Sequence, residues 1–284
     1  MRAAIRTALT VVIAGLIAGQ SPHAQGAPDR VRVLRAAADA LGMLRFSDIG
    51  AANTRLPPID IVNTMELLAS GTSDMNGRAV KTDYHVALGY NPAAMRVEMT
   101  RTPEGGAAQK TIQTVRETFA WDESQIGAGL VPGKGTATPV AAAVQDRLLQ
   151  LWTLPYGVVK AALAAGDKTV LASEGGATVI TFPLSGPLAG VTVRATLDAN
   201  NLITRVETRP DNAARATLAT QTEYSNYADR AEVPTDIKTP GHITRRQGGR
   251  TLLDLEVKSW ETNDPYLVFP VPANVKAAGA GNSR

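Results

Sequence analysis

The chain has 284 residues, no cysteine, three histidines and a formal net charge of +3. The lack of cysteine excludes disulfides, thiol nucleophiles, thiolate-bound metal centres and a lipid anchor on a processed N-terminal cysteine. A hydrophobic fraction of 44% with 19% charged residues is typical of a folded protein, and the length accommodates one large domain or two small ones.

Residues 1–26 have the pattern of a secretory signal peptide. Two arginines precede an apolar run at residues 9–18, and residues 24–26 place small side chains before a cleavage site at Ala27. The apolar run is too short for a membrane-spanning helix, which needs about 20 residues. Removal of residues 1–26 leaves 27 basic and 26 acidic residues, a net charge of +1.

Export without disulfides is common among Gram-negative periplasmic proteins, so the sequence predicts a soluble periplasmic protein once the signal peptide is removed. The nearly neutral mature chain contains no basic patch that indicates nucleic acid as a partner. It also contains no further apolar run long enough to cross a bilayer.

The mature chain is predicted to begin with a helix and to continue as strands. Residues 29–44 place apolar side chains at helical spacing, and Gly42 can end the helix. Residues 47–58 have the composition of a loop. Residues 82–90 and 95–99 then alternate between apolar and polar side chains, which predicts a hairpin with one buried face.

The middle of the chain combines a strand, a loop and a helical block. A strand is predicted over residues 112–121, and residues 127–139 form a loop rich in glycine and proline. Residues 140–165 are predicted to be helical in two pieces that break near Pro155, with Gly166 ending the second piece. Apolar residues at helical spacing carry this prediction: Val144, Leu148, Leu151 and Trp152 in the first piece, and Val158, Val159 and Leu163 in the second.

The rest of the chain is predicted to be a series of strands joined by short turns. They lie at residues 169–172, 178–182, 191–197, 202–207, 217–227, 237–246, 252–260 and 266–271. Successive strands with short connections indicate an antiparallel sheet, and with the helices an α+β fold. No sharp change of composition divides the chain, so we expect one domain over residues 27–276 and a disordered tail over 277–284.

No motif for catalysis or metal binding matches. Residues 128–135 approach a phosphate-binding loop, but the first glycine and the hydroxyl residue after Lys134 are missing. The chain contains no nucleophile elbow and no paired-histidine zinc motif. His85 and His242 are isolated and are expected to be strand residues at the surface, with a catalytic role as the less favoured alternative. The sequence therefore predicts no enzyme, no cofactor and no metal site.

Several short segments carry a resemblance to known proteins, in the same order along the chain. They are residues 90–99, 119–122, 149–162, 222–229, 233–237 and 247–255. Together they resemble the N-terminal, non-catalytic region of secreted bacterial metallo-β-lactamase-fold proteins. That region is itself similar to periplasmic lipoprotein-carrier proteins of the LolA and RseB type.

The resemblance implies a strongly curved antiparallel sheet, a half-barrel, with an N-terminal helix and a helical block over its concave face. It transfers no hydrolase activity, because the chain ends where the hydrolase domain of the larger proteins begins. The metal ligands of that domain also have no counterparts in this sequence.

The implied architecture suggests that an apolar ligand binds inside the half-barrel. Aromatic residues make up only 5% of the chain, which favours an acyl chain over a planar ring. We expect a carrier or sensor for a lipid or lipidated protein, with Leu148, Leu151, Trp152 and Val159 on the inner face of the helical lid as candidate ligand contacts. These four residues also fit a plain role in core packing.

Two other functions stay open. The chain could be an accessory module that pairs through a sheet edge with a separately encoded secreted hydrolase. The least favoured interpretation is that it is a hydrolase itself. Substrate scans with and without a chelator test that interpretation directly.

Overall fold

The computed structural model of the chain describes residues 27–45 and 59–281. The predicted signal peptide, the predicted loop at 47–58 and the last three residues lie outside the described residues. Helix α1 spans Ala27–Ala40, so it ends four residues before the predicted boundary. A short ladder of β1 (Leu44–Arg45) and β2 (Ile59–Asp60) follows.

Gly42 lies directly after α1 in the left-handed region, with φ +72. A Cβ atom at this position would lie 2.2 Å from the carbonyl oxygen of Asp236. Glycine is therefore required here both by the backbone conformation and by the close approach of a distant loop.

Thirteen strands form one curved antiparallel sheet that is not closed. In chain order they are β3 (Thr64–Met75), β4 (Arg78–Tyr90), β5 (Ala93–Thr102), β6 (Gln109–Arg116), β7 (Phe119–Glu123), β8 (Ala137–Pro139), β9 (Val170–Glu174), β10 (Ala177–Pro183), β11 (Val191–Leu197), β12 (Ile203–Pro210), β13 (Gln221–Ser225), β14 (His242–Gln247) and β15 (Arg250–Thr262).

The spatial order of these strands follows the chain in two halves. One half runs from β8 at one edge back to β3, and the other from β15 back to β9 at the opposite edge. The pairing of β15 with β3 joins the halves, through contacts such as Leu255 opposite Gly71. The predicted α+β fold with one antiparallel sheet is confirmed.

The predicted hairpin of residues 82–99 is also confirmed, as β4 and β5. Val86 and Leu88 lie in the main core on one face of β4. On the opposite face Ala87 packs with Ala94 and Phe269. The alternation predicted from the sequence thus holds, but the later chain covers part of the face expected to be polar.

Helices α2 (Val144–Thr153) and α3 (Pro155–Ala165) form the predicted helical block, after a 3₁₀ turn at Ala141–Ala143. Leu154 between them is extended, because a residue before proline avoids the helical region. Pro155 then begins α3, a position at which its missing N–H costs no hydrogen bond. The two helical segments meet at an angle of 97°.

Gly157 allows this sharp corner. A Cβ atom at this position would lie 2.5 Å from the carbonyl oxygen of Leu151 and 3.0 Å from the Cα atom of Trp152. Any larger residue would force α3 away from the end of α2. Gly166, with φ +56, ends α3 as the sequence predicts.

Arg147 attaches α2 to the sheet. Its side chain is 6% exposed, and its Nη1 atom donates to the carbonyl oxygens of Thr114 at 2.9 Å and Trp121 at 2.7 Å. Nη2 donates to the Oδ1 atom of Asp122 at 2.5 Å. One buried guanidinium therefore fixes the helix against β6 and β7.

Four strand predictions were wrong in detail. The strand predicted at 237–246 begins at His242, and Thr239 before it makes an isolated bridge with Ala228. Residues 112–121 are not one strand, because Glu117 is left-handed at φ +53 and starts a turn between β6 and β7. The strand predicted at 217–227 is shorter, because residues 213–218 form a 3₁₀ helix before β13. Residues 266–271 pair with no strand among the described residues.

The segment expected to be a disordered tail is helical as far as it is described. Helix α4 spans Ala273–Gly281. Val275 packs with Trp121 and Ala137, and the Nδ2 atom of Asn274 donates to the carbonyl oxygen of Ala137 at 2.7 Å. These contacts with β7 and β8 supply burial that the composition of the tail does not reveal.

Asp229 organises the loop after β13. Its carboxylate accepts hydrogen bonds from the backbone N–H groups of Ala231 at 3.1 Å, Thr235 at 2.6 Å and Asp236 at 2.7 Å. Burial alone raises the pKa of this carboxyl, but the N–H donors outweigh it, and the pKa lies below its ordinary value. The ionised form of Asp229 therefore stabilises the loop.

Within the described part of the chain, no single helix is long and apolar enough to cross a bilayer. By length and composition alone, the bent pair of α2 and α3 with their flanking turns meets the criterion together.

Candidate ligand-binding groove

One cavity lies between α2 and strands of the sheet. It has a volume of about 50 Å³ and is lined by residues such as Leu67, Tyr224 and Trp260. A cavity of this size holds a few water molecules and no acyl chain. The expectation of a ligand cavity inside the half-barrel stays a prediction.

A larger cavity is a groove of about 600 Å³ beside the corner of α2 and α3. Separate parts of the chain line it: Ala93 and the turn residues Glu117 and Thr118, Leu148 and Trp152 on α2, Lys160, Ala161, Ala164 and Ala165 on α3, Lys168 beyond α3, and residues 183–188 between β10 and β11. We call this cavity the α2–α3 groove.

Apolar side chains form most of its walls. Leu148, Leu184 and Leu188 are buried and contribute aliphatic surface. The half-buried Trp152 ring lies 5.7 Å from the ring of Tyr90, measured between centroids. This lining fits an aliphatic ligand, since burial of apolar surface is the contribution such walls make to binding.

Two local features keep the groove open. The lining residues of α3 include Ala161, Ala164 and Ala165, whose small side chains leave space that larger residues would occupy. Opposite them, the Nε2 atom of Gln145 donates to the carbonyl oxygen of Pro187 at 2.9 Å and ties the β10–β11 loop to α2. The groove is thus held by packing and by a specific hydrogen bond.

The four predicted contact residues separate into two pairs. Leu148 and Trp152 line the α2–α3 groove. Leu151 and Val159 are fully buried in the main core and line neither cavity. For Leu151 and Val159 the structure supports the packing role that the sequence left open.

Sequence reasoning missed the other lining residues. The small residues at 161, 164 and 165 follow helical spacing, so they could have been recognised as one face of α3. No sequence signal indicated that residues 183–188 or the turn at Glu117 lie near that face. Only the curvature of the sheet brings them there.

The two histidines lie on strands, paired with carboxylates. The Nε2 atom of His85 is 2.6 Å from the Oε1 atom of Glu66, and its Nδ1 atom is 3.3 Å from the Oε1 atom of Glu98. The Nε2 atom of His242 is 2.6 Å from the Oδ1 atom of Asp254. Over residues 27–45 and 59–281, no group of three or more histidine, aspartate or glutamate side chains is arranged to hold a metal ion.

Three tyrosines, Tyr84, Tyr156 and Tyr224, lie in the main core or pack against it. Burial raises the pKa of Tyr84 to about 12. Burial also raises the pKa of Tyr156 and Tyr224 well above the ordinary value for tyrosine. Their hydroxyls stay protonated at neutral pH and act as donors, as from Tyr156 to the carbonyl oxygen of Lys238 at 2.6 Å and from Tyr224 to that of Thr153 at 2.7 Å.

No protein-family model and no curated protein matches this sequence. Solved structures similar to the chain include a domain described as an outer membrane lipoprotein-sorting protein from Vibrio parahaemolyticus, with a TM-score of 0.48 and 8% identity over 85% of this chain and 95% of that one. A LolA superfamily protein from Nitrosomonas europaea has a TM-score of 0.41 and 10% identity, over 81% of this chain and 94% of that one. A DUF1329 family protein from Desulfovibrio piger has a TM-score of 0.43 and 9% identity, over 84% of this chain and 94% of that one.

The resemblance to the region that precedes metallo-β-lactamase domains stays a prediction. At this level of similarity the function has to be argued from the groove of this chain itself.

Proposed function

We propose that this chain is a non-catalytic periplasmic protein that binds an acyl chain in the α2–α3 groove, as a carrier or sensor of a lipid. The groove itself carries the proposal: it has a volume of about 600 Å³ and aliphatic walls that include Leu148, Leu184 and Leu188. Pockets of about 300–1,000 Å³ enclose most small ligands. The periplasmic location rests on the pattern of residues 1–26.

The favourable free energy of binding comes from burial of the apolar surface of the acyl chain. Each methylene group removed from water contributes about 0.8 kcal/mol, so ten methylenes contribute about 8 kcal/mol before the cost of ordering the chain. No charged contact is needed to hold such a ligand. The small side chains on α3 and the flat ring of Trp152 suit a flexible chain of variable length.

The proposal is tested by native mass spectrometry of protein isolated from the periplasm and by titration with a fluorescent fatty acid. We expect a bound lipid in the first experiment and saturable binding in the second. Ala164→Trp places a large ring in the groove and is expected to weaken binding at least tenfold. Ala277→Trp, on the exposed face of α4, is the matched control and should bind normally.

Two results would contradict the proposal. One is the absence of both a co-purifying lipid and fatty acid binding. The other is equal affinity in the two tryptophan variants, which would place any binding outside the groove.

One observation favours the second function, an accessory module for a separate protein. The edge strand β8 packs against α4, whereas β9 pairs with no strand other than β10 among the described residues, and its Val170 is 56% exposed. An open strand edge can receive a strand of a partner protein. This function predicts that Val170→Lys abolishes co-purification with a hydrolase encoded by a neighbouring gene, and an unchanged yield of the complex argues against it.

A further inference from the structure

A polar cavity of about 320 Å³ lies between α2 and the sheet, and it shares no lining residue with the α2–α3 groove. Arg101 of β5 and Arg245 of β14 both line this cavity. In the sheet, β4, β3 and β15 separate β5 from β14. The curvature of the sheet therefore brings two guanidinium groups from distant strands to one site. We call this site the arginine cavity.

Arg101 has no carboxylate partner within the described part of the chain. Its Nε atom donates to the Oγ atom of Ser73 at 3.0 Å, and its Nη2 atom lies 3.3 Å from the Sδ atom of Met99. The Oγ atom of Ser73 lies in turn 2.7 Å from the Oγ1 atom of the buried Thr82, which fixes its position. The guanidinium is therefore held by neutral groups, and its charge is left uncompensated.

Arg245 has few acceptors for its donors. Its side chain is 10% exposed, and its Nη2 atom donates to the Oδ1 atom of Asp146 at 3.3 Å. Its buried Nε atom has no hydrogen-bond partner among the described residues. A guanidinium carries five N–H donors, and a buried donor without an acceptor lowers stability. An oxyanion in the cavity supplies acceptors to a side chain that this protein leaves under-bonded.

The two aspartates that line the cavity are already paired. Both carboxylate oxygens of Asp74 accept hydrogen bonds from Arg250, one of them at 2.7 Å. Asp146 accepts from Arg245 and, at 3.0 Å, from the Nε2 atom of Gln150. Three arginines therefore face two aspartates. The excess of one positive charge favours a monoanion, and the two carboxylates oppose a second negative charge on the ligand.

The hydroxyl of Tyr84 adds a neutral donor to the arginine cavity. Burial raises the pKa of Tyr84 to about 12, and the charges of Arg245, Asp146 and Arg101 also act on this pKa, so these groups lie close to the phenol. The hydroxyl is protonated at neutral pH and has no hydrogen-bond partner within the described residues. It is therefore free to donate to an anion beside the two guanidinium groups.

The remaining lining limits the size and character of the ligand. Met99, Leu252 and Leu253 contribute apolar surface, which suits a ligand with a compact apolar body. A volume of about 320 Å³ lies at the lower end of the range for small-molecule sites.

We propose that the arginine cavity binds a small monocarboxylate. Its carboxylate accepts hydrogen bonds from Arg101, Arg245 and the hydroxyl of Tyr84, and its apolar body lies against the apolar side chains of the lining. This site is independent of the proposed function, because it lies outside the α2–α3 groove.

The experiment compares benzoate with benzamide, a neutral ligand of the same shape, and with sulfate, a dianion. Binding is measured at pH 7.5 and low salt from the shifts of backbone amide NMR signals in β5 and β14. We expect benzoate to bind about tenfold more tightly than benzamide, because hydrogen bonds to a charged acceptor are the stronger ones. Sulfate should bind more weakly than benzoate.

Four variants locate the site. Arg101→Gln should weaken benzoate binding about tenfold and leave benzamide unchanged, and Tyr84→Phe should weaken benzoate binding about threefold. Arg78→Gln is the matched control, because Arg78 is exposed, begins β4 and does not line the cavity. Ala164→Trp, which fills the α2–α3 groove, should bind benzoate normally. Circular dichroism checks that each variant is folded.

Equal affinity for benzoate and benzamide, or unchanged benzoate binding in both Arg101→Gln and Tyr84→Phe, would overturn the proposal. If Arg101→Gln does not fold, the comparison of the two ligands in the unmodified protein and in Tyr84→Phe decides. Sulfate affinity equal to that of benzoate would overturn the assignment to a monocarboxylate. Loss of benzoate binding in Ala164→Trp would place benzoate in the groove and also overturn the proposal, while acyl-chain binding would stand.

Discussion

Replacement of Arg147 by methionine tests how α2 is held on the sheet. The change keeps a long side chain and removes hydrogen bonds to the carbonyl oxygens of Thr114 and Trp121 and to Asp122. Hydrogen bonds that involve a charged group contribute about 1.5–3 kcal/mol each. Part of this is offset, because a guanidinium no longer has to be buried and the half-exposed Asp122 is rehydrated. We expect a net loss of about 3 kcal/mol in the free energy of unfolding.

Urea unfolding followed by circular dichroism measures this loss. With an m-value of about 3 kcal/mol/M, the midpoint of unfolding should fall by about 1 M without a change in m. Arg205→Met is the matched control, because Arg205 is exposed and its ion pair with Glu223 has a distance of 3.9 Å. That variant should stay within about 0.5 kcal/mol of the unmodified protein. If Arg147→Met unfolds at the same urea concentration as the control, the guanidinium does not anchor the helix.

Three further predictions follow from the same structure. Leu151→Ala should lower the free energy of unfolding by about 2–5 kcal/mol, because Leu151 is fully buried in the core. Leu148→Ala should lower the free energy of unfolding and should also weaken fatty acid binding measured by titration, because Leu148 lines the groove. Gly157→Ala should lower the free energy of unfolding by about 1–3 kcal/mol, because its Cβ would lie 2.5 Å from the carbonyl oxygen of Leu151. An unchanged melting temperature of this variant would disprove the close approach. Asp229→Asn should lower stability by about 1 kcal/mol at pH 7. Because the pKa of Asp229 is lowered in the fold, its contribution is lost as the pH falls through that pKa, so acid titration of both proteins should show the difference closing below about pH 4.

The strands and the helix break were predictable because their causes are local. Residues 191–197 alternate and form β11 with the predicted bounds. Pro155 breaks the helical block where it was predicted, since proline restricts its own backbone and that of the residue before it. The single strand predicted at 112–121 failed because Glu117 is not a residue type that marks a left-handed turn.

The candidate site was predictable only in part. Leu148 and Trp152 were chosen from helical spacing, and the same spacing selected Leu151, which lies in the core. Helical periodicity identifies the residues on the buried face of a helix. It does not distinguish a residue that packs against other side chains from one that borders a groove. The helix α4 was missed for a related reason, since its stability comes from contacts such as that of Val275.

The sequence by itself determined many of the strands, the break in the helical block, the antiparallel character of the sheet and the absence of cysteine chemistry, because each depends on residue type or short-range pattern. The tertiary structure decided where space remains for a ligand. The corner of α2 and α3, the turn at Glu117 and residues 183–188 enclose the groove. Those segments are far apart in the chain, and only the path of the curved sheet sets the distance between them.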